Sequence, residues 1–171
     1  MTLRKALDLY LKSLDEAELR AEIKKLYGKL PAVKDYYGLE LLDDDAVLER
    51  YKKKLRQVYF MGESRLARGR SKEAHALIKS FKQIAVEPKD VAHLILYRVE
   101  LMLDYQRRRR KGEMYFKSMT NSFREACEII EREQLQDYFR EWCGKLIEGA
   151  RNISYDVPKT MRELHSAYIV E

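Results

Sequence analysis

The stretch VAHLILYRVELMLDYQ, residues 91–106, constrains the fold more than any other part of the chain. Read at about 100° per residue, its apolar side chains cover more than half of a helix circumference. Such a helix has to be central, packed against several neighbours. Those neighbours read as helices too, because helical periodicity recurs along the chain and no window alternates with period two. Seven Gly and three Pro in 171 residues leave few points where helices break. No sheet is expected.

The remaining elements follow from caps and apolar stripes. Thr2 can cap a first helix that carries Leu3, Leu7, Leu11 and Leu14 on one stripe. Ser13 with Glu16 reads as a capping box, opening a second helix with Leu19, Ile23, Leu26 and Leu30 as its buried stripe and Pro31 as its limit. AVKDYYGLELL predicts a short third helix. Asp43, Asp44 and Asp45 then suit the positive end of a helix whose apolar line is Leu48, Tyr51, Leu55 and Val58. MGESRLARGR reads as a loop, and Ser71 as the cap of a helix burying Ala74, Leu77, Ile78, Phe81 and Ile84. Pro88 fits the first turn of the central helix. Beyond Gly112, three further apolar lines run through Met119 and Phe123, through Phe139 and Trp142, and through Met161 and Leu164. The expectation is all-α: about eight amphipathic helices in one helical domain over 1–171, as an irregular bundle or a short α/α-superhelix-like stack of helical hairpins. No repeat of fixed period supports a named solenoid.

Charge is unevenly distributed. Residues 1–49 and residues 112–171 each hold 8 basic and 11 acidic side chains, so the net charge of +6 leaves +12 for residues 50–111. A central hairpin over 50–82 is the densest part, and its candidate anion- or partner-binding residues are Lys53, Arg56, Arg65, Arg68, Arg70, Lys72, Lys79 and Lys82. Clustered charge of one sign steers partners of the other. Arg65, Arg68 and Arg70 also precede a helix start, where open N–H groups favour an anion. The bland alternative is that lysines opposite an apolar stripe are the wet face of an amphipathic helix.

Arg107, Arg108, Arg109 and Arg110 form a second basic group. Four consecutive helical residues encircle the axis, so they make a collar that cannot be buried dry, and the helix has to leave the core there. Gly112 offers the left-handed residue that ends many helices. A charged helix end explains the run; anion binding is the sharper reading. Tyr51, Tyr59, Tyr97 and Tyr105 lie among the bases and would stack on single-stranded bases if exposed.

Catalysis has one candidate face: His93, Tyr97, Glu100 and Asp104 line one side of the central helix. No second ligand motif completes a metal site, no glycine-rich phosphate loop is present, and no cofactor or metal is implied. Arg98 points into the apolar side of that helix, where it should pair with a carboxylate from a neighbouring helix. Cys127 and Cys143 read as core thiols, too few for a disulfide framework, which suits a reducing cytoplasm. The N-terminal stretch is charged at every turn and lacks a secretory h-region, and no run is long and apolar enough to span a bilayer.

LPAVKDYYGLEL, ERYKKKLRQVYF, AHLILYRVELMLDY and MYFKSMTNSFREACEII resemble, in order and spacing, a family of small all-helical prokaryotic proteins classed as a domain of unknown function. The resemblance implies an all-helical cytoplasmic protein and brings no catalytic residue with it. The functional expectation is a non-catalytic interaction module whose basic central hairpin docks an acidic partner, most of all a protein. Sequence-nonspecific binding of a nucleic-acid backbone is the alternative, and a small helical enzyme using the His93 face comes third.

Overall fold

The computed structural model describes residues 1–42, 45–62, 65–154 and 156–169. Asp43 and Asp44, two of the three acids assigned to a helix start, lie outside them. The described residues are mostly helical, and the chain packs as two compact units, residues 1–44 and 45–171.

The first unit holds α1 (Leu3–Ser13), α2 (Glu16–Lys29) and α3 (Pro31–Leu42). Thr2 caps α1 through the amide of Lys5. The capping box of α2 belongs to Asp15 and Glu18, not to Ser13 and Glu16: the Glu18 amide donates to Asp15, and Glu18 accepts from the Asp15 amide. Ser13 instead closes the last turn of α1, donating to the Tyr10 carbonyl at 2.7 Å. The stripe Leu19, Ile23, Leu26 and Leu30 is not buried as expected. Ile23, Leu26 and Leu30 are exposed, and no residue of the three helices is buried. α2 and α3 pack on each other around Tyr27 and Tyr37, whose rings lie 6.4 Å apart.

The second unit carries the core. α4 (Ala46–Tyr59) leads through two short strands, β1 (Phe60–Met61) and β2 (Arg65–Leu66), to α5 (Ser71–Lys82). Then come α6 (Pro88–Arg108), α7 (Glu113–Arg132), α8 (Gln136–Ala150) and α9 (Asp156–Tyr168). As its hydrophobicity demands, α6 is central and packs against α4, α5, α7 and α8. Leu94, Ile95, Leu96, Val99, Leu101, Met102 and Leu103 are all buried. Each contributes ~1.5–3 kcal/mol relative to exposure, which makes α6 the element the unit cannot lose.

Two local expectations are corrected here. The 61–70 segment is not a plain loop: β1 and β2 pair antiparallel, with Phe60 opposite Leu66 and Met61 opposite Arg65. Period-two patterning cannot reveal strands two residues long. Ser71 is not the cap of α5 but its first residue, because Arg70 holds the cap position without a side-chain bond.

Beyond β2 the chain is tied down at Tyr105. The Tyr105 hydroxyl donates to the Ala67 carbonyl at 3.0 Å, and the amide of Gly69 donates to the Val58 carbonyl at 3.0 Å. Gly69 has φ +60°, and a Cβ there would come within 2.9 Å of the Tyr105 ring, so glycine is required for two separate reasons.

Candidate functional site

The basic end of the second unit is built where α4, the β-hairpin and α6 finish together. Phe60 is buried, and its ring is flanked by two guanidinium groups. Arg56 lies 5.2 Å from the centroid and Arg108 5.4 Å. Behind it, Tyr105 meets Tyr59 at 5.9 Å, Phe60 at 6.1 Å and Tyr115 at 6.1 Å, so the cations rest on a rigid aromatic base. Lys111 lies 5.3 Å from the Tyr105 centroid. Each such contact is worth ~0.5–2 kcal/mol, depending on how far it is dried.

The arginine run does leave the core, but not as a helical collar ended by a left-handed glycine. α6 stops at Arg108, Arg109 is extended at φ −146°, and Gly112 at φ −88° is the residue preceding α7. The turn is held by Gln106, whose Oε1 accepts from the Lys111 amide at 2.8 Å. Arg107 is paired with Asp104 at 2.9 Å. Arg107, Arg110 and Lys111 line a cleft of about 520 Å³ together with Phe116, Glu148, Gly149 and Asn152. Glu148, the acid in that lining, is paired with Arg151 at 2.8 Å.

The eight cations assigned to the central hairpin take different places. Arg56 joins the arginine run at Phe60. Arg65 and Arg68 are exposed on and after β2, and Lys53, Lys72 and Lys79 are exposed on their helices. Arg70 is paired with Glu73 at 2.6 Å, and Lys82 with Glu125. The tyrosines proposed as stacking platforms are mostly inside: Tyr51, Tyr59 and Tyr105 are buried, and Lys52 covers the half-buried Tyr97 at 5.1 Å.

On the catalytic face, the His93 ring stands 4.8 Å from Trp142, and burial, then Lys52, pushes its pKa below the usual imidazole value. Burial, then Asp104, holds Glu100 above the usual carboxylate range. Glu100, Asp104 and Arg107 line a cleft of only about 130 Å³ with Trp142 and Lys145. His93 is not among its lining residues, so the four side chains do not converge on one space. Among the described residues no group of His, Cys, Asp and Glu is placed to hold a metal ion.

One constellation went unread in the sequence. Arg98 is fully buried, but among the described residues it pairs with no carboxylate. Its Nε donates to the Tyr59 hydroxyl at 3.2 Å, Nη1 to Ser122 at 2.7 Å, and Nη2 to Ser71 at 2.9 Å and Ser118 at 3.0 Å. The His75 ring lies against the same guanidinium, with nitrogen separations of 3.2 and 3.4 Å. Desolvation raises the Tyr59 pKa and lowers that of His75, with Arg98 adding to the latter, so both groups stay neutral. Glu125, which faces His75, is paired with Lys82. Hydrogen bonds from a charged donor are worth ~1.5–3 kcal/mol each. Burying a guanidinium costs several kcal/mol, so the hydroxyls offset the burial without neutralising the charge. The signals were an arginine in an apolar face and two serines, Ser118 and Ser122, one turn apart on α7.

An all-α protein with almost no sheet is the class that this fold defines. A family profile matches residues 1–162, and the chain belongs to that family, described as a family of unknown function (DUF6155). Neither the curated proteins nor the solved structures include a match to the chain. Among the described residues no helix is long and apolar enough to cross a membrane.

Proposed function

We propose that the chain is a non-catalytic interaction module whose second unit docks an acidic protein at the basic end formed by α4, the β-hairpin and the end of α6. The observation that carries this reading is the gathering of cations where α6 ends: Arg107, Arg110 and Lys111 border a cleft of about 520 Å³ against α7 and α8, and Arg56 and Arg108 lie 5.2 and 5.4 Å from the Phe60 centroid. Acidic side chains of a partner would enter the cleft, and the flanking arginines would steer its approach. The burial of Tyr51, Tyr59 and Tyr105 favours a protein over a single-stranded nucleic acid, which gains much of its affinity from bases stacked on open rings. A reducing cytoplasm suits the two free buried thiols.

The test is a titration of a labelled polyglutamate peptide and a single-stranded RNA of equal charge, at low and at physiological salt. The peptide is expected to bind wild type, to lose affinity about tenfold or more in Arg56→Glu/Arg108→Glu, and to keep it in Lys79→Glu/Lys82→Glu. RNA binding tighter than the peptide, with a steep salt slope, would hand the site to nucleic-acid backbones. Silence of both ligands at low salt would remove the reading altogether.

A further inference from the structure

We propose that the hydroxyl cluster above Arg98 binds a phosphate group, at a site separate from the basic end. A buried charge with no opposite among the described residues carries the argument: Arg98 is fully enclosed, and each described side chain it bonds, from Tyr59, Ser71, His75, Ser118 and Ser122, is neutral. The cluster is not sealed. Arg98, Tyr59 and Ser122 form its buried floor, Ser71 and Ser118 are half-buried, and His75 is exposed, so it opens along the seam between α5 and α7. At that opening the Ser71 and Ser118 hydroxyls lie 3.1 Å apart and share Nη2 of Arg98. Arg98 donates to both hydroxyls, and one of the two donates to the other, so a ligand that replaces that bond would receive both hydroxyl protons. α5 also starts at Ser71 without a side-chain cap; the Glu73 amide is spent on the Arg70 carbonyl, so the amides of Ser71 and Lys72 are the donors this helix start adds.

A phosphate seated on Ser71 and Ser118 would take the place of the bond between them and accept from both hydroxyls and from those amides. It would also supply the negative charge that Arg98 lacks, with the exposed side chain of Lys72 beside it. Donors from two hydroxyls and a helix start suit the several oxygens of a tetrahedral anion better than the two of a carboxylate. Free inorganic phosphate and a phosphomonoester on a larger molecule share this chemistry.

Calorimetric titration with inorganic phosphate and with O-phosphoserine, each at matched ionic strength against chloride, tests the site. Saturable binding of at least one is expected, weakened about tenfold or more in Ser71→Ala/Ser118→Ala and retained in Ser118→Thr, which keeps the hydroxyl. Tighter binding of inorganic phosphate identifies a free anion; tighter binding of phosphoserine identifies a phosphorylated partner. No heat from either ligand with wild type up to ~10 mM overturns the proposal whatever the variants do. So does equal binding by the double alanine variant. Arg56→Glu/Arg108→Glu should bind phosphate as wild type does, so failure at the basic end and failure here are told apart.

Discussion

Gly69→Ala tests how firmly the β-hairpin is locked to α6. Two effects add at this position. The backbone sits at φ +60°, where an L-residue costs ~1–2 kcal/mol. The new methyl would also stand 2.9 Å from Cζ and 3.2 Å from the hydroxyl of Tyr105. That ring cannot swing away cheaply. It is fully buried, its hydroxyl is bonded to Ala67 at 3.0 Å, and Tyr59 and Phe60 stand against it. Overpacking of this kind costs a further ~1–3 kcal/mol. The sum of ~2–5 kcal/mol corresponds, at about 3 °C per kcal/mol, to a fall in Tm of roughly 6–15 °C for a chain of this length. Gly62 is the internal control, since it has φ +70° but nothing within 4 Å of an added Cβ. Gly62→Ala should therefore cost only the backbone part, ~1–2 kcal/mol. Thermal and urea unfolding of the two variants side by side measure the difference. If Gly69→Ala unfolds no earlier than Gly62→Ala, Tyr105 does not hold the hairpin in the way described, and the aromatic base under Arg56 and Arg108 is looser than the geometry states.

Other expected outcomes follow from single contacts. Asp15→Ala should lower the helicity of a 1–42 fragment measured by circular dichroism and cost ~1 kcal/mol, while Ser13→Ala should leave it nearly unchanged; the reverse order would restore the box to Ser13. His75, His93 and His165 all have pKa values lowered first by burial. The unfolded chain therefore takes up protons before the folded one. Their contribution is complete above the ordinary histidine value of ~6.5 and is lost as pH falls through the lowered values, so Tm should drop between about pH 7 and 5.5; a rise over that interval would contradict the partial desolvation of these rings. Cys127 and Cys143 are both fully buried, and the neighbouring Cys143 thiol, then desolvation, pushes the Cys127 thiol up. A thiol reagent at neutral pH should titrate neither in the native protein and both in denaturant, and rapid native reaction would show the α7–α8 contact to be open.

α6 was legible because a long stretch, apolar over most of its circumference, has only one way to satisfy itself: neighbours on several sides. Its arginine was legible only as an anomaly. The periodicity of one helix says that Arg98 faces inward, but its partners come from α4, α5 and α7, and no pattern on α6 distinguishes a ring of hydroxyls from a carboxylate. The misplaced capping box has a local cause. Ser13 and Asp15 both carry an acid three residues on, and the choice fell to Asp15 because Ser13 is still the last helical residue of α1, whereas Asp15 has the extended backbone of a cap. In the first unit, spacing revealed stripes on α1 and α2 but could not say what covers them, and Ile23, Leu26 and Leu30 are exposed. At the basic end the charge was plain in composition. The cleft was not, because Gly149 and Asn152 of its wall lie some forty residues beyond Arg107 and Arg110 in the chain.

The most direct measurement is backbone and arginine side-chain NMR of the isotope-labelled chain during titration with the polyglutamate peptide. Docking at the basic end predicts saturable shifts confined to residues 56–61, 105–111 and 149–153, with the Arg56 and Arg108 side-chain signals moving first. Shifts centred on Lys72, Lys79 and Lys82, shifts scattered over every exposed cation, or none at all would contradict it.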